Sequence, residues 1–161
     1  MIWSRLYSRS LLTDNGIIFD TELFFGEDGL FSVHVLACAS KIWNVENALY
    51  HYRARSGSAV STMDIKAVDN KILAAKKIEA VLKKLGKDRD FNMAILQKKR
   101  GARDSLLFDM KNPDFDRWRK TFPEINSSVI RIYDKKVIMY LALFMHFDFL
   151  AGLMIRLYKN R

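Results

Sequence analysis

"FFGEDGLFSVHVLACAS", Phe24 to Ser40, decides how the chain is read. From Asp28 onward the stretch is apolar at Leu30, Phe31, Val35, Leu36, Cys38 and Ala39, which predicts a largely buried helix with Asp28 at its N-terminus. The adjacent carboxylates Glu27 and Asp28 then lie between an aromatic run and that buried face. Two explanations are open. An acid at a helix start accepts backbone N–H bonds and complements the helix dipole, worth about 1 kcal/mol. A carboxylate held at a helix N-terminus and facing a cleft can also act as a general base toward an incoming hydroxyl.

Upstream, Ile2 to Tyr7 reads as a short strand, and "SRSLLTDNG" as a brief helical turn closed by Asn15-Gly16. Downstream, "KIWNVENALYHYRAR" carries β-branched and aromatic residues without a helical period, which predicts one or two strands. "SGSAVST" is a loop, and Ser61 with Asp64 has the spacing of a capping box. In the helix that follows, Ile65, Val68, Ile72, Ala75, Ile78, Leu82 and Leu85 recur every three or four residues, and Gly86 offers the stop. Phe91 to Lys111 gives a second amphipathic stretch interrupted by "QKKRGAR" and ended by Pro113, with a short helix expected around Asp114 to Thr121.

The chain has 161 residues, half of them apolar, with few Pro and Gly, so one ordinary globular domain with a real core is expected. Its net charge of +9 is uneven, with most of it between Lys71 and Lys120, whereas Met1 to Asn70 is slightly acidic. Such a basic block serves solubility, an anionic bilayer or nucleic acid. No helix-turn-helix, RRM, KH or zinc pattern accompanies the charges, so no nucleic acid is expected. The lone Cys38 excludes an internal disulfide and suits a reducing compartment, and no signal peptide is evident. The three histidines, His34, His51 and His146, are read as structural rather than metal-ligating.

The blocks "IWSRLYSRSLL", "IIFDTELFFGEDGLF" and "YHYRARSGSAVS" add a family resemblance. Taken in order, they resemble the second half of the catalytic domain of glycosyltransferase family 2, the inverting GT-A-type enzymes of bacterial polysaccharide synthesis. The family pattern is a W-x-K-L-Y segment, an E-D pair opening a helix, a strand, and an aromatic-x-Y-R segment leading to a Ser-containing loop. The resemblance covers about the first sixty residues. It implies an α/β, mainly α chain in which residues 1–60 form the acceptor-side part of a GT-A-type domain and residues 61–161 a helical, basic, membrane-associated region.

By that resemblance Asp28 is the base that deprotonates an acceptor hydroxyl, and Glu27 positions acceptor or base. Trp3 offers a flat apolar face to a sugar ring or simply packs. Arg5 stands where the family more often has Lys. Arg53, Arg55 and Ser58 reach the departing diphosphate of the nucleotide sugar. The acceptor is a saccharide or a lipid-linked saccharide, and the location implied is cytoplasmic, peripheral at the inner face of the membrane.

Only 26 residues precede Glu27, too few for the nucleotide-binding half with its D-x-D metal motif. The chain is therefore expected to be inactive alone, to need a divalent cation (Mg or Mn) whose ligands lie elsewhere, and to expose apolar surface that the donor half would cover. Asp88-Arg89-Asp90 and Asp114-Phe115-Asp116 are read as decoys. The runner-up reading is a noncatalytic interaction or scaffold remnant of such an enzyme. The apolar tail Val137 to Ile155 is long enough to span a bilayer, but Asp148 would cost about 2.5 to 3.5 kcal/mol there, so an interfacial or protein-buried helix is expected.

Overall fold

A computed structural model describes residues 2–46, 64–129 and 136–159, apart from the side chains of Trp3, Ser128 and Val129. Among the described residues the chain is mainly α and holds no strand. Its helices are α1 (Arg9–Asp14), α2 (Glu27–Cys38), α3 (Ile65–Lys84), α4 (Asn92–Phe108), α5 (Phe115–Lys120), α6 (Asn126–Val129), α7 (Val137–Phe144) and α8 (Asp148–Lys159). Short 3-10 turns cover Ile2–Ser4 and Pro123–Ile125.

The strand expected over Ile2 to Tyr7 is instead a 3-10 turn followed by irregular chain. Tyr7 stands edge-on to Phe31 at 5.4 Å, and its hydroxyl donates to the Ile2 carbonyl, so the segment folds back on α2 rather than extending. Residues 41–46 are irregular, and the rest of the expected strand region lies outside the described residues.

The α3 helix forms as its period requires. Asp64 is itself the cap, its carboxylate accepting from Ala67 N at 2.9 Å, rather than the third helical residue of the capping box expected with Ser61, which lies outside the described residues; Gly86 ends the helix at φ 64°. Val68, Ile72, Ala75, Ile78 and Leu82 are all buried, whereas the terminal Ile65 and Leu85 are exposed. One part of α3 packs with α2 and α4 around Leu23, Leu30, Val33, Ala74, Ile78, Leu82 and Ile95. The other part joins α4, α5, α7 and α8 in the largest core, around Leu106, Leu107, Trp118, Met139, Tyr140 and Leu143.

The expected interruption at "QKKRGAR" does not occur, because α4 runs straight through it. Two of its cations turn inward. Lys99, 4% exposed, donates to Glu79 on α3 at 2.6 Å and to Glu124 at 2.7 Å. Burial alone would lower the lysine and raise both acids, yet these bonds leave Lys99 shifted up and Glu79 and Glu124 shifted down. Arg103, fully buried, lies over the Trp118 ring at 4.3 Å and donates to Asn126 Oδ1 at 2.7 Å. Among the described residues its Nε and Nη2 find no hydrogen-bond partner, and the nearby Asp104 and Glu124 charges together with the Trp118 face offset part of the cost of burial.

The tail also differs from a single helix. It breaks between α7 and α8, where His146 takes a left-handed φ of 58°, and Asp148 opens α8 instead of lying mid-helix. Arg119 on α5 ties the two together, donating from Nε to the Leu143 carbonyl at 2.8 Å and pairing with Asp148. Among the described residues no helix is long and apolar enough to cross a membrane.

Asp104 joins α4 to the core aromatics, accepting from Trp118 Nε1 at 3.1 Å and from the Tyr140 hydroxyl at 2.6 Å. Burial, reinforced by the Asp104 charge, pushes the Tyr140 hydroxyl pKa up, so it remains a donor. Removing the acceptor strands two buried donors. Asp104→Ala is expected to lower unfolding free energy by about 2–3 kcal/mol in urea titration, with Asp104→Asn losing less.

Candidate functional site

The approach of the chain to α2 is set by a close contact. Gly26 adopts φ 92°, and a methyl group there would come within 2.9 Å of Ala74 Cβ, so glycine is required on both counts. Around it Asn70 Oδ1 accepts from Phe24 N at 3.0 Å, and Lys77 donates to Asp20 and Glu22 at 2.6 Å each. The Lys77 bond holds the Asp20 carboxyl below its ordinary range despite some desolvation. These contacts bind the chain before α2 to α3.

Gly26 occupies the N-cap position of α2 and supplies no side-chain cap. Glu27 and Asp28 follow in the first turn, both half-buried. Among the described residues Asp28 makes no hydrogen bond or ion pair, so the capping explanation of this carboxylate is not realised; only its interaction with the helix dipole remains.

Instead Asp28 lines an open depression of about 280 Å³ with Arg5, Gly29, Ser32, Leu36 and Lys98. Asp28, Gly29, Ser32 and Leu36 follow one face of α2, as a helical period dictates. Arg5 enters from the irregular segment before α1, and Lys98 from α4. The Lys98 ammonium lies over the first turn of α2, since a methyl group on Gly29 would come within 3.2 Å of its Nζ. Both cations are exposed and, among the described residues, neither has a hydrogen-bonding or ion-pairing partner. A carboxylate without a bond among the described residues thus lines the same open depression as two exposed cations. It is equipped to accept a proton and to hold an anionic or polyhydroxylated ligand.

No family model, curated protein or solved structure matches the chain.

Of the residues singled out in the sequence, Asp28 and Arg5 meet in this depression, with Glu27 adjacent to Asp28 in sequence. Trp3 falls in the first 3-10 turn, but its side chain is outside the description. Arg53, Arg55, Ser58 and His51 lie outside the described residues. Sequence reasoning missed Lys98, whose only signal was membership of the basic run "QKKR". His34, half-buried on α2, is shifted down by desolvation and by the Lys84 charge, which favours its neutral form.

The D-x-D strings are engaged elsewhere. Asp114 caps α5 by accepting from Arg117 N at 3.0 Å, Asp116 pairs with Arg119 at 3.0 Å, and Asp90 pairs with Lys87 at 3.6 Å. No group of three His, Cys, Asp or Glu side chains among the described residues has the arrangement to hold a metal ion. The residues described here therefore do not fit a divalent-cation site.

Because Asp28 makes no bond within the fold, Asp28→Asn is expected to change unfolding free energy by less than about 1 kcal/mol, the range of a helix-dipole contribution. A larger loss in urea titration would assign the carboxylate to structure.

Proposed function

We propose that this chain is the acceptor-side portion of an inverting glycosyltransferase that transfers a sugar from a nucleotide sugar to a saccharide or lipid-linked acceptor, with Asp28 as its base. The observation that carries the reading is the Asp28 carboxylate itself, at the start of α2, without a bond among the described residues, and lining an open depression with Arg5. A capping carboxylate would have its oxygens committed to backbone N–H donors.

In the proposed step the acceptor hydroxyl gives its proton to the Asp28 carboxylate as its oxygen forms a bond to the anomeric carbon. The bond from that carbon to the diphosphate breaks on the opposite side, and the nucleoside diphosphate leaves with the electron pair. Glu27 orients the acceptor. Arg5 contributes positive charge at the rim, and Arg53, Arg55 and Ser58 are assigned to the diphosphate by sequence alone. Trp3 is assigned a sugar-stacking face on the same basis. The GT-A-type architecture, its strands, its cation and its donor half belong to this proposal, as does a working position at the cytoplasmic face of a membrane.

A second observation favours a missing covering surface. In the N-terminal part Leu6, Ile18, Phe24, Ile42, Trp43 and Val45 are all exposed, apolar surface of the kind that marks an interaction site. A donor-binding half would cover them. The same surface also suits a noncatalytic remnant that binds a partner, so activity must separate the two readings.

The separating experiment combines the chain with a nucleotide-binding half, encoded before or beside it, and measures nucleoside diphosphate release across a panel of nucleotide sugars. Release is expected only when both halves and a saccharide acceptor are present, with inverted configuration in the product. A stable complex of the two halves that releases no diphosphate from any donor would support the scaffold reading instead.

A further inference from the structure

The α7–α8 hairpin carries an apolar surface that the fold does not use. On α8, Ala151 and Ile155 are buried in the main core, with Met154 and Tyr158 packed beside them. Phe149, Leu153 and Leu157, spaced by four, form a line on the other side of the same helix, exposed to 90%, 49% and 60%. The helix is thus apolar on two sides, and only one of these has an intramolecular partner. Ile138, Leu141 and Met145 make a second exposed line on α7, and Phe147 projects at the turn between them, beside an open hollow lined by His146 to Leu150.

Charge selects the occupant. Residues 136–159 contain three Lys or Arg and one acid, Asp148, and that acid is already paired with Arg119. Arg156 is exposed and, among the described residues, makes no ion pair or hydrogen bond; Lys159 donates only to the neutral Met110 carbonyl at 2.9 Å. Both cations lie on α8, one and two residues from Leu157. A protein partner on the apolar lines would leave these exposed cations at a solvated rim, whereas an anionic leaflet offers hydrocarbon and negative headgroups together and engages both features of the helix.

We propose that the α7–α8 hairpin is a docking surface for an anionic lipid bilayer, with α8 lying in the plane of the interface, Phe149, Leu153 and Leu157 immersed and Arg156 and Lys159 at headgroup level. The inference deepens the membrane position included in the proposed function, but it stands on exposure and charge, so loss of Asp28 as a base would leave it in place. The break at His146 is what makes it workable. A continuous helix over residues 137–159 would have had to choose between core and bilayer, but the hairpin anchors one side of α8 through Arg119 and leaves the other free.

The test is co-flotation of the intact protein with vesicles of phosphatidylcholine, with and without phosphatidylglycerol. Binding is expected with the mixed vesicles and to weaken as salt rises, since each cation near an anionic leaflet strengthens binding by about fivefold at low ionic strength. Phe149→Ser with Leu153→Ser is expected to abolish flotation, and Arg156→Glu with Lys159→Glu to lower it by more than tenfold; far-UV circular dichroism checks that both remain helical. A second measurement does not depend on those variants folding: an environment-sensitive dye on Phe149→Cys, in a Cys38→Ser background, should shift to the blue on adding mixed vesicles. Wild-type protein that stays with the soluble fraction, flotation equal with neutral vesicles, or a dye that does not respond would overturn the proposal. So would a dimer that the serine variant splits while flotation is unchanged, which would assign the face to a second copy.

Discussion

No methyl group fits where Gly26 meets Ala74, and the geometry of the candidate site depends on that contact. It brings the chain entering α2 against the middle of α3, where Lys77 takes up Asp20 and Glu22 and Asn70 takes up the Phe24 amide. With the entry fixed, Leu30 and Val33 pack against α3 and α4, and Phe31 turns to Tyr7 and Phe19 on the other side. The face left over, from Asp28 to Leu36, becomes the floor of the depression. The position of the carboxylate thus follows from packing around it and not from any bond it makes.

Charge inside the helical layers gives the second half of the fold its specificity. Lys99 bridges two acids from different elements, and Arg103 lies flat on Trp118 while Asp104, its neighbour in sequence, holds Trp118 and Tyr140. A buried cation is costly unless paired, so α4 has few alternative registers against α3 and α5 that satisfy these groups. This is also why Lys98 faces the depression: one residue away from the inward Lys99, it points to a different side of the same helix.

The elements legible in the sequence are those whose signals are local. The α3 helix announced itself through period and Gly86, though its cap is Asp64 and not Ser61, and α5 through its bounding prolines. The rest depended on distant partners. Tyr7 looked like a strand residue because β-branched and aromatic neighbours favour strands, but Phe31 captures it. "QKKRGAR" looked like an interruption because Lys and Arg belong in solvent by default, and the acids and indole that receive them lie far along the chain. The break at His146 carries neither Gly nor Pro, so no turn signal marked it. At the candidate site, Asp28 and Arg5 were singled out by the order of the blocks and line the same depression, whereas Lys98 required knowing how α4 crosses α2.

A carboxylate that, among the described residues, makes no bond and lines one depression with two cations likewise unpaired there is the feature that joins structure to proposed chemistry. Turnover by an assembly of the Asp28→Asn chain with the donor-binding half that the proposal calls for tests this most directly. The account predicts a loss of about 10²–10⁴-fold with nucleotide-sugar binding unchanged. Turnover within a few fold of the unsubstituted enzyme would contradict it.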